Sequence, residues 1–289
     1  MLSGLAIAEN APSIPLLQIP GAAWTDEEER CIQALHQRGR IDIATKISSA
    51  VYLPQPDGSI RGFHYNVFKA FADLAGIDIG IRLVPWNDYF YKAGEDLEKA
   101  KADARYAYVP TLIEQVDLYI DGITVLPWRE KMFDIIKFVP SRQMIVSRKG
   151  HEPLALEDLD KKICAMVKDT SMELNLENIA RERNIRFSYV YTEDFDAMDR
   201  MVAEDKADFT VYDSDRAFAA CYHYPNLTIA MPISETEMMG WAINKDNGVL
   251  ERIIEKYLRY AQETGILDKY WQEEYGVSFI GYLRILKLN

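Results

Sequence analysis

The sequence predicts a mixed α/β protein of two lobes, and three observations carry that expectation. At 289 residues the chain is longer than a single core usually serves, so two cores are expected. Apolar residues recur in some segments at every second position and in others at the spacing of a helix, and the two kinds of segment interleave along the chain. Hydrophobic residues make up 48% and charged residues 27%, the balance of a soluble globular protein.

The first element starts at Thr25, a capping residue followed by Asp26, Glu27, Glu28 and Glu29, acids that suit the positive end of a helix reaching about His36. Ile41, Ile43 and Thr45 mark a strand. Phe63, Val67, Phe71 and Leu74 share a helical face that Gly76 terminates, and a strand follows at 77–84. Residues 88–107, rich in tyrosine, lysine and acid, break the rhythm; their helical part, 95–104, is too polar for a central position and reads as a surface elaboration. Val116, Leu118 and Ile120 alternate with Asp117 and Tyr119, a strand with one buried face, and Gly122 permits a sharp exit. Arg129 then lies just past the strand. A planar guanidinium delivered to a sheet end is suited to gripping a carboxylate through two parallel hydrogen bonds, although pairing with Glu130 or Asp134 is the plain alternative.

The second lobe opens near Ser147. Its first strand, 163–167, leads to Thr170 or Ser171 as the cap of a helix carrying Met172, Leu176 and Ile179, whose first N–H groups are able to meet an anion. Strands follow at 187–191 and 208–212, separated by a helix of Phe195, Met198, Met201 and Val202. Asp213 ends the later strand and stands before a helix at 214–222, where Asp is also among the best caps. A strand at 238–243 precedes an amphipathic helix of Val249, Leu250, Ile253, Ile254, Tyr257, Leu258 and Ala261.

Several function classes are disfavoured. The formal charge of −12 argues against nucleic acid or an anionic membrane as partner. No apolar run approaches the length of a membrane span. His36, His64, His151 and His223 lack metal-ligand spacing, no phosphate loop or nucleophile elbow is present, and neither metal nor cofactor is expected. Cys31, Cys164 and Cys221 are an odd, dispersed set, read as inert thiols for the latter two. Ala6-Ile7-Ala8 has the small-x-small form of a cleavage site, as in a truncated signal peptide.

Two motifs suggest a family. Gly122-Ile123-Thr124-Val125-Leu126-Pro127-Trp128-Arg129 and Lys206-Ala207-Asp208-Phe209-Thr210-Val211-Tyr212-Asp213 resemble the paired signatures of family 3 extracellular solute-binding proteins, two-lobed amino-acid receptors. Gly62-Phe63, Leu156 to Leu159 and Gly265-Ile266-Leu267 fall where that family has landmarks, and the resemblance covers roughly 40–276. It implies a type II periplasmic-binding-protein-like fold, with the ligand in a cleft that hinge motion closes. Arg129 would hold the α-carboxylate with help from Thr124, Asp213 the α-ammonium, and Tyr52 a ligand-stacking position. Thr170, Ser171, Trp128 and Tyr212 are further pocket candidates, with ordinary packing as the alternative for each aromatic. The implied organisation is a tail and helix at 1–36, lobe 1 at 37–142 and 243–289, hinge strands at about 143–147 and 237–242, and lobe 2 at 148–236. The resemblance further implies a monomer outside the cytoplasm, without catalytic residues, feeding an ABC transporter permease or acting as a sensor. In a sensor, 279–288 would lead toward a membrane segment.

The chain departs from the family pattern in places. Leu126 replaces the second hydroxyl of the first motif, His64 replaces the acid after Gly62-Phe63, and Phe133-Asp134-Ile135-Ile136 replaces the usual hinge sequence. Gly39-Arg40-Ile41-Asp42-Ile43-Ala44-Thr45 and Tyr224-Pro225-Asn226-Leu227-Thr228-Ile229-Ala230 resemble the non-catalytic, receptor-like half of membrane-bound lytic transglycosylase F. The 289 residues are too few for the lysozyme-like domain that accompanies that half. Cyclohexadienyl dehydratases share the fold and need a cleft acid, for which Glu193 is the candidate and a solvated loop acid the alternative.

Overall fold

The computed structural model describes residues 13–192 and 194–286; the expected signal remnant and Glu193 lie outside them. Helix α1 (Asp26–Arg38) leads into β1 (Arg40–Thr45), the short pair β2 (Leu53–Pro54) and β3 (Ile60–Arg61), α2 (Phe63–Ala75) and β4 (Asp78–Leu83). A 3-10 turn (Trp86–Phe90) and α3 (Leu97–Ala102) precede β5 (Leu118–Thr124), the one-turn α4 (Pro127–Glu130) and β6 (Asp134–Ser141). The next run is β7 (Gln143–Arg148), β8 (Ile163–Met166), α5 (Ser171–Arg183), β9 (Ser188–Tyr191), α6 (Phe195–Ala203), β10 (Phe209–Asp213), α7 (Ser214–His223) and β11 (Leu227–Pro232). Strand β12 (Glu237–Ile243) and helices α8 (Gly248–Glu263), α9 (Ile266–Tyr275) and α10 (Phe279–Ile285) complete the described chain.

Apart from the β2–β3 pair, the strands form two five-stranded sheets, one per lobe. Lobe 1 has the order β4-β1-β5-β12-β6 and lobe 2 the order β11-β7-β10-β8-β9. In lobe 1, β4, β1 and β5 are parallel and β12 is antiparallel to both neighbours. Lobe 2 mirrors this, with β8, β9 and β10 parallel and β7 antiparallel to β10 and β11. Open sheets with parallel strands present their ligand crevice at the carboxyl ends of those strands, and that rule places the site.

The segments expected as hinge strands, 143–147 and 237–242, lie within the sheets as β7 and β12. The chain crosses between lobes at Arg142 and again at 233–236. The crossings are tied to each other: Gln143 N–H donates to Ser234 Oγ at 2.8 Å, Ile233 N–H to Gln143 O at 2.8 Å, and Arg142 Nε to Ser234 O at 3.0 Å. Paired crossings allow one lobe to rotate against the other while each sheet stays intact.

Local chemistry accounts for the element ends. Thr25 and Glu28 form a reciprocal capping box at 3.3 and 2.8 Å. Gly62 has φ +134°, and a Cβ there would collide with the Val51 carbonyl, so only glycine fits the entry to α2. The 88–107 segment departs from its polar reading. Its helix shortens to α3, while Tyr89, Phe90 and Ala100 are buried in a second apolar cluster with Tyr108, Tyr119, Trp128 and Phe133. Tyr89 stacks on Tyr119 at 4.7 Å, and Lys131 Nζ donates to the carbonyls of Ala100, Asp103 and Tyr106 at 2.7–2.8 Å. At the far end, α10 is packed rather than extended: Phe279 and Tyr282 are buried against Trp271, and Tyr282 shares hydrogen bonds with Ser214 and Pro140 on either side of the first crossing. No helix among the described residues is long and apolar enough to cross a membrane.

Candidate ligand site between the lobes

A cavity lies where the parallel strands of both lobes end. Lobe 1 lines it with Lys46 after β1, Trp86 after β4, and Asp121, Gly122 and Thr124 of β5. Lobe 2 contributes Thr170 and Ser171 after β8, Phe195 at the start of α6, Tyr212 and Asp213 ending β10, and Arg216 of α7. The space open to water centres is about 50 Å³, room for a few waters.

Arg129 sits behind this cavity rather than on its wall. It is 1% exposed, and its guanidinium lies 5.0–5.2 Å from the rings of Trp86, Phe90 and Trp128. Nη1 donates to the Thr124 carbonyl at 3.0 Å, whereas Nε and Nη2 have no hydrogen-bond partner among the described residues. Burial lowers its pKa to about 10, opposed by the negative field of Asp213, Glu237 and Asp121, so it stays charged at neutral pH. The alternative pairings fall away: Glu130 pairs with Lys137 at 2.7 Å, and Asp134 with Lys245 at 3.6 Å.

Asp213 faces the cavity from the other lobe. It occupies the cap position of α7, but its side chain makes no capping bond. Burial pushes its carboxyl up to about 8, with Asp215 and Glu237 adding to the rise and Arg129 and Lys46 opposing it. A cation placed beside it would draw the proton off.

Of the other expected residues, Thr124 and Ser171 approach each other across the cleft, Oγ1 to Oγ, at 3.4 Å. Thr170 caps α5, accepting from Glu173 N–H at 3.2 Å and donating to Val167 O at 3.0 Å. Tyr212 lines the cavity with its hydroxyl spent on Phe195 O at 2.8 Å. Tyr52 is not brought to the cavity; it packs edge-on against Tyr65 at 5.1 Å, beside a bridge to Ser48. Trp128 is likewise off the wall, serving as one of the rings around Arg129.

Sequence reading missed two charged assemblies. Lys46 Nζ lies 2.9 Å from Asp121 Oδ2, with side chains 13% and 2% exposed. On the facing lobe, Arg216 donates to Asp196 at 2.7 Å and Asp199 at 3.3 Å, and across the cleft to Ser49 Oγ at 2.6 Å. Burial raises Asp199 to about 6 despite Arg216, whereas Arg216 and Ser49 outweigh burial at Asp196 and hold its carboxyl low. His64, on the cavity floor, accepts from Trp241 Nε1 at 3.0 Å, and burial lowers it to about 4, leaving it neutral. Among the described residues no cluster fit for a metal ion is present.

No protein-family model matches the chain. Among curated proteins it is 25% identical over 279 residues to membrane-bound lytic murein transglycosylase F of Saccharophagus degradans, a match covering 95% of this chain and 50% of that protein. The protein of the same name from Desulfosudis oleivorans is 23% identical over 276 residues, covering 93% and 57%. The chain thus spans about half the length of the curated relatives it matches. Among solved structures, a variant of ArgBP from T. maritima has a TM-score of 0.66 at 21% identity, covering 85% of this chain and 99% of that one. The solute receptor for L-cysteine of Neisseria gonorrhoeae has a TM-score of 0.66 at 16% identity, covering 84% and 92%. An ancestral amino acid-binding protein described as a precursor of cyclohexadienyl dehydratase scores 0.65 at 20% identity, covering 85% and 99%. The fold is that of the two-lobed amino-acid-binding proteins.

Proposed function

We propose that this chain is an extracytoplasmic receptor that reversibly binds a small zwitterion, an amino acid or a peptide-like molecule, and changes no bonds in it. The observation that carries the reading is Arg129: a charged guanidinium, 1% exposed, with two nitrogens unpartnered among the described residues. A buried charge so left is costly, and a carboxylate accepting from Nε and Nη2 would relieve it. Asp213, on the opposite lobe, supplies the matching site for the ammonium. A ligand touching both lobes favours the closed arrangement by its differential affinity. Monomeric action, with or without a transporter permease, is part of the same reading and is checked by light scattering of the purified protein.

The test is a thermal-shift screen of amino acids, amines, carboxylates and cell-wall peptides, joined to native mass spectrometry of freshly purified protein. At about a hundredfold excess over Kd a true ligand stabilises by about 2.7 kcal/mol. Stabilisation by sugars or metal ions alone would overturn the reading, and so would turnover of prephenate or arogenate.

A second reading shares this site. Its support is the length relation: the matched relatives are lytic murein transglycosylases, and the chain covers about half of each. Under it the chain is a ligand-sensing domain of a cell-wall lytic or signalling system. Cell-wall peptides would then outcompete free amino acids in the same screen.

A further inference from the structure

Lys46 occupies an unusual place for a protein's own side chain. Its ammonium lies 4.6 Å from the ring of Trp86 and 4.3 Å from that of Phe195, two aromatics that meet across the cleft at 6.3 Å. Trp86 follows β4 in lobe 1 and Phe195 opens α6 in lobe 2. Below them is Asp121, 2% exposed, with Oδ2 against Lys46 and Oδ1 accepting from Gly122 N–H at 2.7 Å. Two rings from opposite lobes over a buried carboxylate make a cation subsite, since ring faces and carboxylate both favour positive charge. In this chain the cation is covalently attached.

We infer that Lys46 is a built-in occupant of the ligand's side-chain subsite, so that the receptor rejects zwitterions with cationic side chains and admits those with short uncharged or acidic ones. Given the zwitterion reading above, on which the ligand class rests, Arg129 and Asp213 fix the main-chain groups and leave the side chain directed at Lys46. A second ammonium or guanidinium there meets a like charge and finds Asp121 already engaged. Solved structures of the same fold include an amino acid ABC transporter substrate-binding protein from Streptococcus pneumoniae bound to L-arginine; Lys46 would set this chain apart from such a receptor.

Shortening Lys46 to alanine would remove the stem and ammonium, opening the space between the two rings and leaving the buried Asp121 carboxylate without its cation. The probes are n-butylammonium and guanidinium ions, which need no main-chain site, together with L-arginine and L-lysine. Lys46→Ala is expected to bind n-butylammonium at least roughly tenfold more tightly than the unaltered protein, the scale of one desolvated cation–π and ion-pair contact. In the Lys46→Ala, Asp121→Asn double variant, which keeps the space and removes the charge, that gain should vanish. Absence of a gain in folded Lys46→Ala overturns the inference. Tight binding of L-arginine or L-lysine by the unaltered protein overturns it too, and needs no variant to fold. Cation binding by Lys46→Ala, with no amino acid or peptide bound by either protein, upholds the subsite and overturns the zwitterion reading instead.

Discussion

Two largely buried arginines, one in each lobe, stand in contrasting states. Arg216 is paired through both terminal nitrogens: two carboxylates and, across the cleft, a hydroxyl accept from them at 2.6–3.3 Å, and Nε alone has no partner among the described residues. Arg129 is enclosed by three rings and spends one nitrogen on a backbone carbonyl, with Nε and Nη2 left over among the described residues. The difference lies less in burial than in charge pairing: Arg216 has two carboxylate partners, whereas Arg129 has none and leaves two nitrogens unmet among the described residues. Arg216 ties the lobes through Ser49; under the proposed function, the spare donors of Arg129 are kept for the ligand.

The difference is broken most sharply by replacing each with methionine, which keeps bulk and removes charge. Arg216→Met strands Asp196 and Asp199 without their cation and is expected to cost about 3–5 kcal/mol of folding stability. Arg129→Met strands no charged partner and costs only the Thr124 carbonyl one donor, so unliganded stability should change little, within about 1 kcal/mol, since exchanging an unpaired buried charge for an apolar side chain is neutral or favourable. Urea denaturation of both variants checks this. Ligand affinity should invert the order of damage: Arg129→Met loses about 2–5 kcal/mol of binding, and Arg129→Lys restores little because an ammonium lacks the two-pronged donor. Equal destabilisation by the two methionine variants would sink the distinction.

Acidity sharpens the same comparison on the carboxylate side. Asp213, raised to about 8, holds a proton in the folded protein that the unfolded chain releases near the ordinary carboxylate value. Its contribution to stability is therefore full below about pH 4 and is lost as pH rises through about 8. Asp199, at about 6, acts in the same direction over a lower and narrower window. Ligand binding runs the other way. The ammonium needs the ionised carboxylate, so affinity should rise roughly tenfold per pH unit below the Asp213 pKa, with one proton released on binding. Calorimetry in buffers of different ionisation enthalpy counts that proton. Asp213→Asn should abolish its release and flatten stability between pH 6 and 8, while leaving the Asp199 step in place. Because Asp213 makes no capping bond, this substitution leaves α7 undisturbed.

These contrasts were legible in the sequence only where they are local. The strand ahead of Arg129 and the one ahead of Asp213 each announce themselves by alternation, and a residue just past such a strand lands at a sheet end. Lys46 and Asp121 are unremarkable in their own neighbourhoods; the parallel pairing of β1 with β5 makes them partners. Arg216 meets Ser49 only because the lobes close. Tyr52, one of 17 tyrosines, had no local pattern separating a cleft wall from a packing role, and the structure gives it to Tyr65. Tyr89 and Phe90 were hidden by polar neighbours, since a 3-10 turn carries too few residues to show a period. Local periodicity thus located the elements, and tertiary pairing decided which charges were neutralised.

The smallest expected effect repeats the comparison with two threonines. Thr170 is committed: its hydroxyl both caps α5 and donates to Val167 O. Among the described residues the Thr124 hydroxyl has only the long 3.4 Å approach to Ser171 across the cleft, which under the proposed function leaves it free to turn toward the ligand's carboxylate. Thr170→Val should cost about 1 kcal/mol of stability, the usual worth of a cap. Thr124→Val keeps the β-branched shape and should leave unliganded stability nearly unchanged while weakening binding by about 1 kcal/mol, one neutral hydrogen bond. Melting temperature and affinity measured on the same two preparations separate the outcomes. If Thr124→Val binds as tightly as the unaltered protein, the carboxylate is held by Arg129 alone, and Thr124 serves only to line the closed cleft.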